Sequence, residues 1–268
     1  LASDDRTTAQ PATDALVSVR GLVAGYGDRT ILDGVDFDVR RGEVFAILGG
    51  SGCGKSTLLK HMLGVHEPSA GSVRFGGREF VDAGPAERRR ILRGIGVTYQ
   101  DGALFGSMTL LENCMIPMEE HTSLPLSARQ VIARTKLELV GLGGFEGFLP
   151  SEISGGMRKR AAIARAMALD PPILCLDEPS AGLDPVTSAG LDRLIARLSE
   201  ILSITFLIVT HELPSVLSVV DRCILLDASV RGILAEGNPR ELAASSVDPA
   251  VRRFFDRRAE DEPRDPSP

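Results

Sequence analysis

No run of apolar residues in the sequence approaches the roughly 18 that a membrane-crossing helix requires, so no transmembrane segment is predicted. The opening stretch LASDDRTTAQPATDA is polar and has no apolar h-region, which excludes a secretory signal within it. Positive charge is not in excess. The 30 Lys and Arg stand against 36 Asp and Glu, a net charge of −6, which argues against a general nucleic-acid binder, although whole-chain charge averages over faces. The four cysteines (Cys53, Cys114, Cys175, Cys223) are scattered without metal-type spacing, and we read them as reduced packing residues of a cytosolic protein. No internal repeat is evident. What remains is an ordinary globular composition, 43% hydrophobic and 25% charged. Its 268 residues can bury a sizeable core, as one large domain or two unequal lobes.

Both ends, residues 1–14 and 257–268, are polar and Pro-bearing and are expected to be mobile. Residues 16–24 and 31–48 read as strands. Val35, Phe37 and Val39 alternate with Asp36, Asp38 and Arg40, the period of a half-buried strand. VFAIL (44–48) is continuously apolar, as expected for a strand covered on both faces. From about 101 to 170 the chain reads as helices and loops, with Ser127 and Gln130 suggesting a capping box that opens a helix over 128–140. Strand patterns return in ILCL (173–176), FLIVT (206–210) and CILLD (223–227). A helix with Leu191, Leu194, Ile195 and Leu198 on one face lies between the first two. This alternation predicts an α/β fold with a mostly parallel core sheet and an inserted helical lobe.

The segment GGSGCGKST (Gly49, Gly50, Ser51, Gly52, Cys53, Gly54, Lys55, Ser56, Thr57) fits G-x-x-x-x-G-K-[ST] after a buried strand and before a helix. Its glycines let backbone N–H groups turn toward phosphate oxygens at a helix N-terminus. Lys55 would reach the β- and γ-phosphates, and the Ser56 hydroxyl would ligate Mg²⁺. ILCLDEP (173–179) is an apolar strand ending in two carboxylates, a costly arrangement unless a cation or substrate compensates. Asp177 suits the Mg²⁺ shell, and Glu178 suits a general base acting on water. His211 and Gln100 each follow a strand, where α/β folds place their ligands, and a carboxamide can touch Mg²⁺ or water. Tyr26 is open to two readings, stacking on adenine or packing in a turn. In EISGGMRKR, Ser154 is a good N-cap and Gly155 and Gly156 allow close backbone approach. This is either an ordinary helix start or a second anion-binding terminus. Two phosphate cradles make sense if two chains pair head to tail, each covering the other's nucleotide.

In their order along the chain, the P-loop, Gln100, Ser-Gly-Gly, Asp-Glu, AGLDP (181–185) and His211 resemble the ATP-binding subunits of ABC transporters, over about residues 16–240. The resemblance implies a P-loop ABC-ATPase fold with an antiparallel β subdomain and an inserted α-helical subdomain. The ATPase domain would span 15–245, with a C-terminal extension over 246–268. Tyr26 would stack on adenine, Gln100 would be the Q-loop residue and Asp184 would belong to the D-loop. Ser154, Gly155 and Gly156 would contact the partner's γ-phosphate, and His211 would be the switch histidine.

YQDGALFGSMTLLEN (99–113), PMEEHTSLP (117–125), ISGGMRKRAAIARAMALDP (153–171) and DPAVRRFF (248–255) are further similar to the Mla/Mce-type branch that energises lipid transport. Met157, where the usual signature has Gln, fits that branch. The implied ligands are ATP and Mg²⁺. The implied partners are a second copy of the chain, a membrane permease and an MCE-type lipid-binding protein, with no nucleic acid. The implied place is the cytoplasmic face of the inner membrane, held peripherally. Phe105, Met108 and Leu110 would either meet a permease helix or pack within the helical lobe. Phe254 and Phe255 would otherwise form an exposed apolar pair, and the resemblance gives their segment a role in dimer contact. An ABC ATPase for an amino acid or ion importer, or a soluble one acting on ribosomes or DNA, are the alternative readings.

Overall fold

The computed structural model describes residues 14–100 and 102–256, so the tail over 1–13 and the last residues, 257–268, lie outside the described residues. The chain begins with a hairpin of β1 (Ala15–Tyr26) and β2 (Arg29–Arg40). Val35, Phe37 and Val39 point inward on β2 as their spacing predicts, while Asp36 and Arg40 face solvent. Arg20 grips both Asp38 carboxylate oxygens across the hairpin at 2.7 and 2.8 Å. The strand expected over 31–48 is two strands. A turn at Gly42, whose φ is +73°, separates β2 from β3 (Val44–Gly49). Helix α1 (Lys55–Met62) follows, then β4 (Ala70–Phe75), β5 (Arg78–Glu79), α2 (Pro85–Leu92) and β6 (Ile95–Thr98).

Three helices stand between β6 and the next strand: α3 (Leu110–His121), α4 (Leu126–Leu139) and α5 (Gly155–Ala166). The remaining elements are β7 (Ile173–Asp177), α6 (Pro185–Leu202), β8 (Thr205–Val209), α7 (Leu213–Val219), β9 (Arg222–Asp227), β10 (Gly232–Gly237), α8 (Pro239–Ser245) and α9 (Pro249–Phe255). The expected capping box at Ser127 and Gln130 does not form. Helix α4 starts earlier, with Pro125 as N-cap and no side-chain cap, which puts Ser127 inside the first turn. The capping box of this lobe is at α3, where Thr109 Oγ1 accepts from Glu112 N at 3.2 Å and Glu112 accepts from Thr109 N at 2.7 Å.

β2-β1-β4-β5 make an antiparallel sheet, and β10-β9-β3-β8-β7-β6 make the main sheet, parallel except for β10 on β9. The main strands are covered on both faces, and period-2 alternation divides them between two cores. Val44, Ala46, Leu48, Leu174, Leu176, Phe206 and Ile208 face the core shared with α3–α6. Phe45, Ile47, Cys175, Leu207 and Val209 face the core shared with α1 and the antiparallel sheet. Because the five main strands run parallel, their carboxyl ends share one edge of the molecule, and the candidate chemistry gathers there. Among the described residues no helix is long and apolar enough to cross a membrane.

Near the end of the described residues, Phe254 and Phe255 meet edge to face at 5.4 Å and pack, partly buried, on the chain's own core, so the pair is docked within the chain rather than bare. Leu110 is likewise a core residue, whereas Phe105 and Met108 are exposed.

Candidate functional site

Gly49 ends β3 at φ +152°, and a Cβ there would lie 2.4 Å from Cys53 Sγ and 2.6 Å from the Leu226 carbonyl oxygen. No side chain fits between them, so the loop turns only as glycine. Gly54, at φ +106°, is the N-cap of α1 and supplies no side chain, so no capping group engages the first backbone N–H groups of the helix. They form an anion-receptive cradle. Lys55 Nζ lies across the mouth of the loop and donates to the Gly49 and Gly50 carbonyls, each at 2.9 Å. The loop floors a cavity of about 530 Å³ whose walls include Ile31, Ser56, Thr57 and Arg231. Tyr26 stands exposed beside α1, its hydroxyl 3.5 Å from Thr57 Oγ1 and its ring edge-on to His66 at 5.1 Å.

The carboxylate pair ends β7. Asp177 Oδ1 is buried without a hydrogen-bond partner. Desolvation, with the Glu178 charge second, raises the Asp177 carboxyl above its ordinary value, against Lys60, Lys55 and Lys159. An orphaned carboxylate oxygen of this kind suits a divalent cation. Among the described residues there is no cluster of three or more acidic, His or Cys side chains able to hold a metal alone. That donor set fits Mg²⁺, which is commonly held by one or two carboxylates together with substrate phosphates.

Glu178 is buried and takes a left-handed φ of +47°. Its N–H donates to the Val209 carbonyl at 2.8 Å, and its two carboxylate oxygens meet His211 Nδ1 at 2.7 Å and Thr210 Oγ1 at 3.1 Å. The side chain is therefore aimed by β8 as well as β7. Thr210 was not picked out by sequence reasoning. A hydroxyl closing the apolar run FLIV was the available sign.

Ser154 caps α5 as expected, its Oγ accepting from Met157 N at 3.2 Å. Gly155 lines a second cleft, of about 460 Å³, with Gln100, Lys159 and Gly182, and no residue of the P-loop lines it. Within one chain the Ser-Gly-Gly turn and the P-loop thus serve separate openings. Asp184 caps α6, accepting from Val186 N and Thr187 N at 3.0 Å each and from Thr187 Oγ1 at 2.5 Å. The Thr187 side-chain and backbone donors hold its carboxyl below its usual range.

Sequence reasoning also missed the cations of α5. Lys159 Nζ donates to the Gln100 carbonyl, and Arg165 donates to the Ala103 and Gly102 carbonyls at 2.7 and 3.1 Å. All four cysteines are buried and free, and burial pushes the thiols of Cys114, Cys175 and Cys223 up to about 12, which leaves them as inert packing groups.

A doubly covered parallel sheet, with an uncapped glycine loop and an acidic pair on one strand-end edge, has the layout of a nucleotide-hydrolysing cassette of the P-loop class. The sequence profile of the ABC transporter family matches residues 32–181, and the chain belongs to that family, as an ATP-hydrolysing subunit. It is 43% identical over 242 residues to the "Probable ribonucleotide transport ATP-binding protein mkl" of Mycobacterium leprae (strain TN), covering 90% of this chain and 69% of that one. To the "Intermembrane phospholipid transport system ATP-binding protein MlaF" of Escherichia coli (strain K12) it is 39% identical over 241 residues, covering 90% and 88%. Among solved structures it resembles cbiO1 from Clostridium perfringens, part of the ABC transporter complex cbiONQ, with TM-score 0.79 and 30% identity over 87% of this chain and 92% of that one. It also resembles the dimeric post-hydrolysis state of the ATP-binding cassette MJ0796 bound to ADP and Pi, with TM-score 0.74 and 29% identity over 83% and 98%.

Proposed function

We propose that the chain hydrolyses ATP between two copies of itself, at the cytoplasmic face of the inner membrane, and that this cycle drives a permease moving phospholipid or another lipid. The likeness to MlaF over 90% of the chain carries the cargo reading. The mkl relatives, named for ribonucleotide transport, favour a second cargo. An amino acid or an ion is a weaker alternative.

In this reading Tyr26 stacks on adenine, while Lys55 and the N–H groups of the loop bind the β- and γ-phosphates. Ser56, Asp177 and Gln100 hold Mg²⁺, which supplies neutralisation of phosphate charge when bound. Glu178 takes a proton from the attacking water. His211, already hydrogen-bonded to Glu178 at 2.7 Å, fixes that carboxylate and reaches toward the γ-phosphate. Ser154, Gly155, Gly156 and Asp184 of a second copy close the site, and the MJ0796 dimer supports pairing of this kind. The ATPase domain spans 15–245, and Phe105 and Met108, exposed after Gln100, face the permease. An MCE-type lipid-binding protein completes the complex.

The test is to isolate the chain with its membrane partners in detergent, identify them, and measure turnover against added cargo. Phospholipid bound to the complex and stimulating turnover is expected. Stimulation by a ribonucleotide, amino acid or ion instead would overturn the lipid assignment.

A further inference from the structure

Lys159 is distant in sequence from both the P-loop and the carboxylate pair, yet its ammonium sits where α5, the end of β7 and the loop at Gln100 meet. From the first turns of α5 its Nζ donates to the Gln100 carbonyl and lies 3.4 Å from the Glu178 carbonyl. It is half-buried and lines the same cleft as Gln100 and Gly155. Its charge also acts on the Asp177 carboxylate.

The two carbonyls it reaches belong to segments in demanding backbone conformations. Glu178 has φ +47°, and the loop after Gln100 passes through Gly102 at +73° and Ala103 at +48°. Non-glycine residues pay for such geometry, and it persists only where the surroundings hold it. On the loop side Arg165 supplies two further donors from the same helix, and buried Asn113 donates to the Phe105 and Met108 carbonyls at 3.1 and 3.0 Å. On the Glu178 side Lys159 itself reaches the main-chain carbonyl, at 3.4 Å.

We infer that Lys159 is a positioning residue for the hydrolysis step: it ties the backbone of Glu178 and Gln100 to the signature helix, so that the base is aimed only when α5 is seated. An ammonium with three donors can serve two carbonyl acceptors at once, and a charged hydrogen bond is stronger than a neutral one. The inference rests on Glu178 being the base. Lys159 lines the cleft of Gln100 and Gly155 and is not among the residues lining the P-loop cavity, so its loss should act on turnover more than on capture of ATP.

The test uses Lys159→Met, Lys159→Arg and Glu178→Gln in the purified chain, with ATP affinity, kcat, KM and thermal unfolding measured for each. Lys159→Met is expected to lower kcat about tenfold, or about 1.4 kcal/mol of barrier, with KM within about twofold. Lys159→Arg, which keeps the charge and several donors, should recover most of that loss. A purely structural role would instead lower the unfolding temperature and move affinity and kcat together. Lys159→Met turning over ATP at the wild-type rate, or falling in kcat with no recovery in Lys159→Arg, overturns the positioning role. If Glu178→Gln loses turnover while Lys159→Met does not, only the positioning role fails. A wild-type rate in Glu178→Gln removes the base assignment itself.

Discussion

Gly156 separates two reasons for a glycine in the signature turn, close approach to a phosphate and close packing within the chain. A Cβ at Gly156 would lie 2.3 Å from Thr187 Cγ2, while one at Gly155 would meet nothing nearer than 3.7 Å. Carbon atoms pack at about 3.5–4.0 Å, so Gly156→Ala overlaps Thr187 by more than an ångström. Thr187 cannot turn away freely, because its Oγ1 is bonded to Asp184 Oδ2 at 2.5 Å and its N–H to Asp184 Oδ1 at 3.0 Å. Overpacking of this kind costs about 1–3 kcal/mol. For a chain of this size that is a fall of roughly 2–12 °C in Tm.

The double variant Gly156→Ala/Thr187→Ala removes the obstacle, since the nearest remaining Thr187 atom, its Cβ, is 3.8 Å away. Its own loss is one hydroxyl bond to Asp184, about 0.5–1.5 kcal/mol. Thermal unfolding of the two single variants and the double, without nucleotide, should therefore show strong non-additivity, with the double close to Thr187→Ala alone. Gly155→Ala should unfold no lower than the wild type. Gly156→Ala at the wild-type Tm, or a double variant losing the sum of the singles, would refute the packing argument.

Ser154→Arg should abolish ATP turnover, because it replaces the cap of α5 and fills the turn, whereas Met157→Gln should leave turnover largely intact; steady-state phosphate release compares them. The Met157 side chain packs partly buried on the core, so Met157→Gln should lower Tm slightly, which calorimetry can read. Asp177 sets a pH dependence. Its carboxyl is raised above the ordinary 3.8, mainly by desolvation, so between those two values the folded chain holds the extra proton and stability falls as pH rises through the window. Asp177→Asn should flatten that slope and raise the Tm of the nucleotide-free chain at neutral pH while losing turnover, and unfolding scans at several pH values check it.

Most of the core sheet was legible because its strands are buried on both faces, and VFAIL, ILCL and FLIV can hardly be read otherwise. The P-loop was legible for the same reason that it works, since few sequences place glycines and Lys-Ser between such a strand and a helix. The start of α4 was misread because Ser127 and Gln130 have capping spacing, while Pro125, with φ already near −64°, opens the helix without a side-chain cap. The docking of Phe254 and Phe255 was hidden because it depends on long-range contacts that no local pattern reports. Lys159 and Arg165 drew no role from the sequence, since nothing along α5 says that its cations cross to carbonyls at 100, 102 and 103. Thr210 was passed over beside His211, although both oxygens of Glu178 are held from that one strand end.

The most direct measurement is on Glu178→Gln with ATP and Mg²⁺, following phosphate release and molar mass in solution together. Loss of turnover with ATP still bound, and accumulation of a dimer carrying two nucleotides, is the predicted result. Wild-type turnover in that variant, or a chain that stays monomeric with ATP bound, would contradict the account of hydrolysis between two copies.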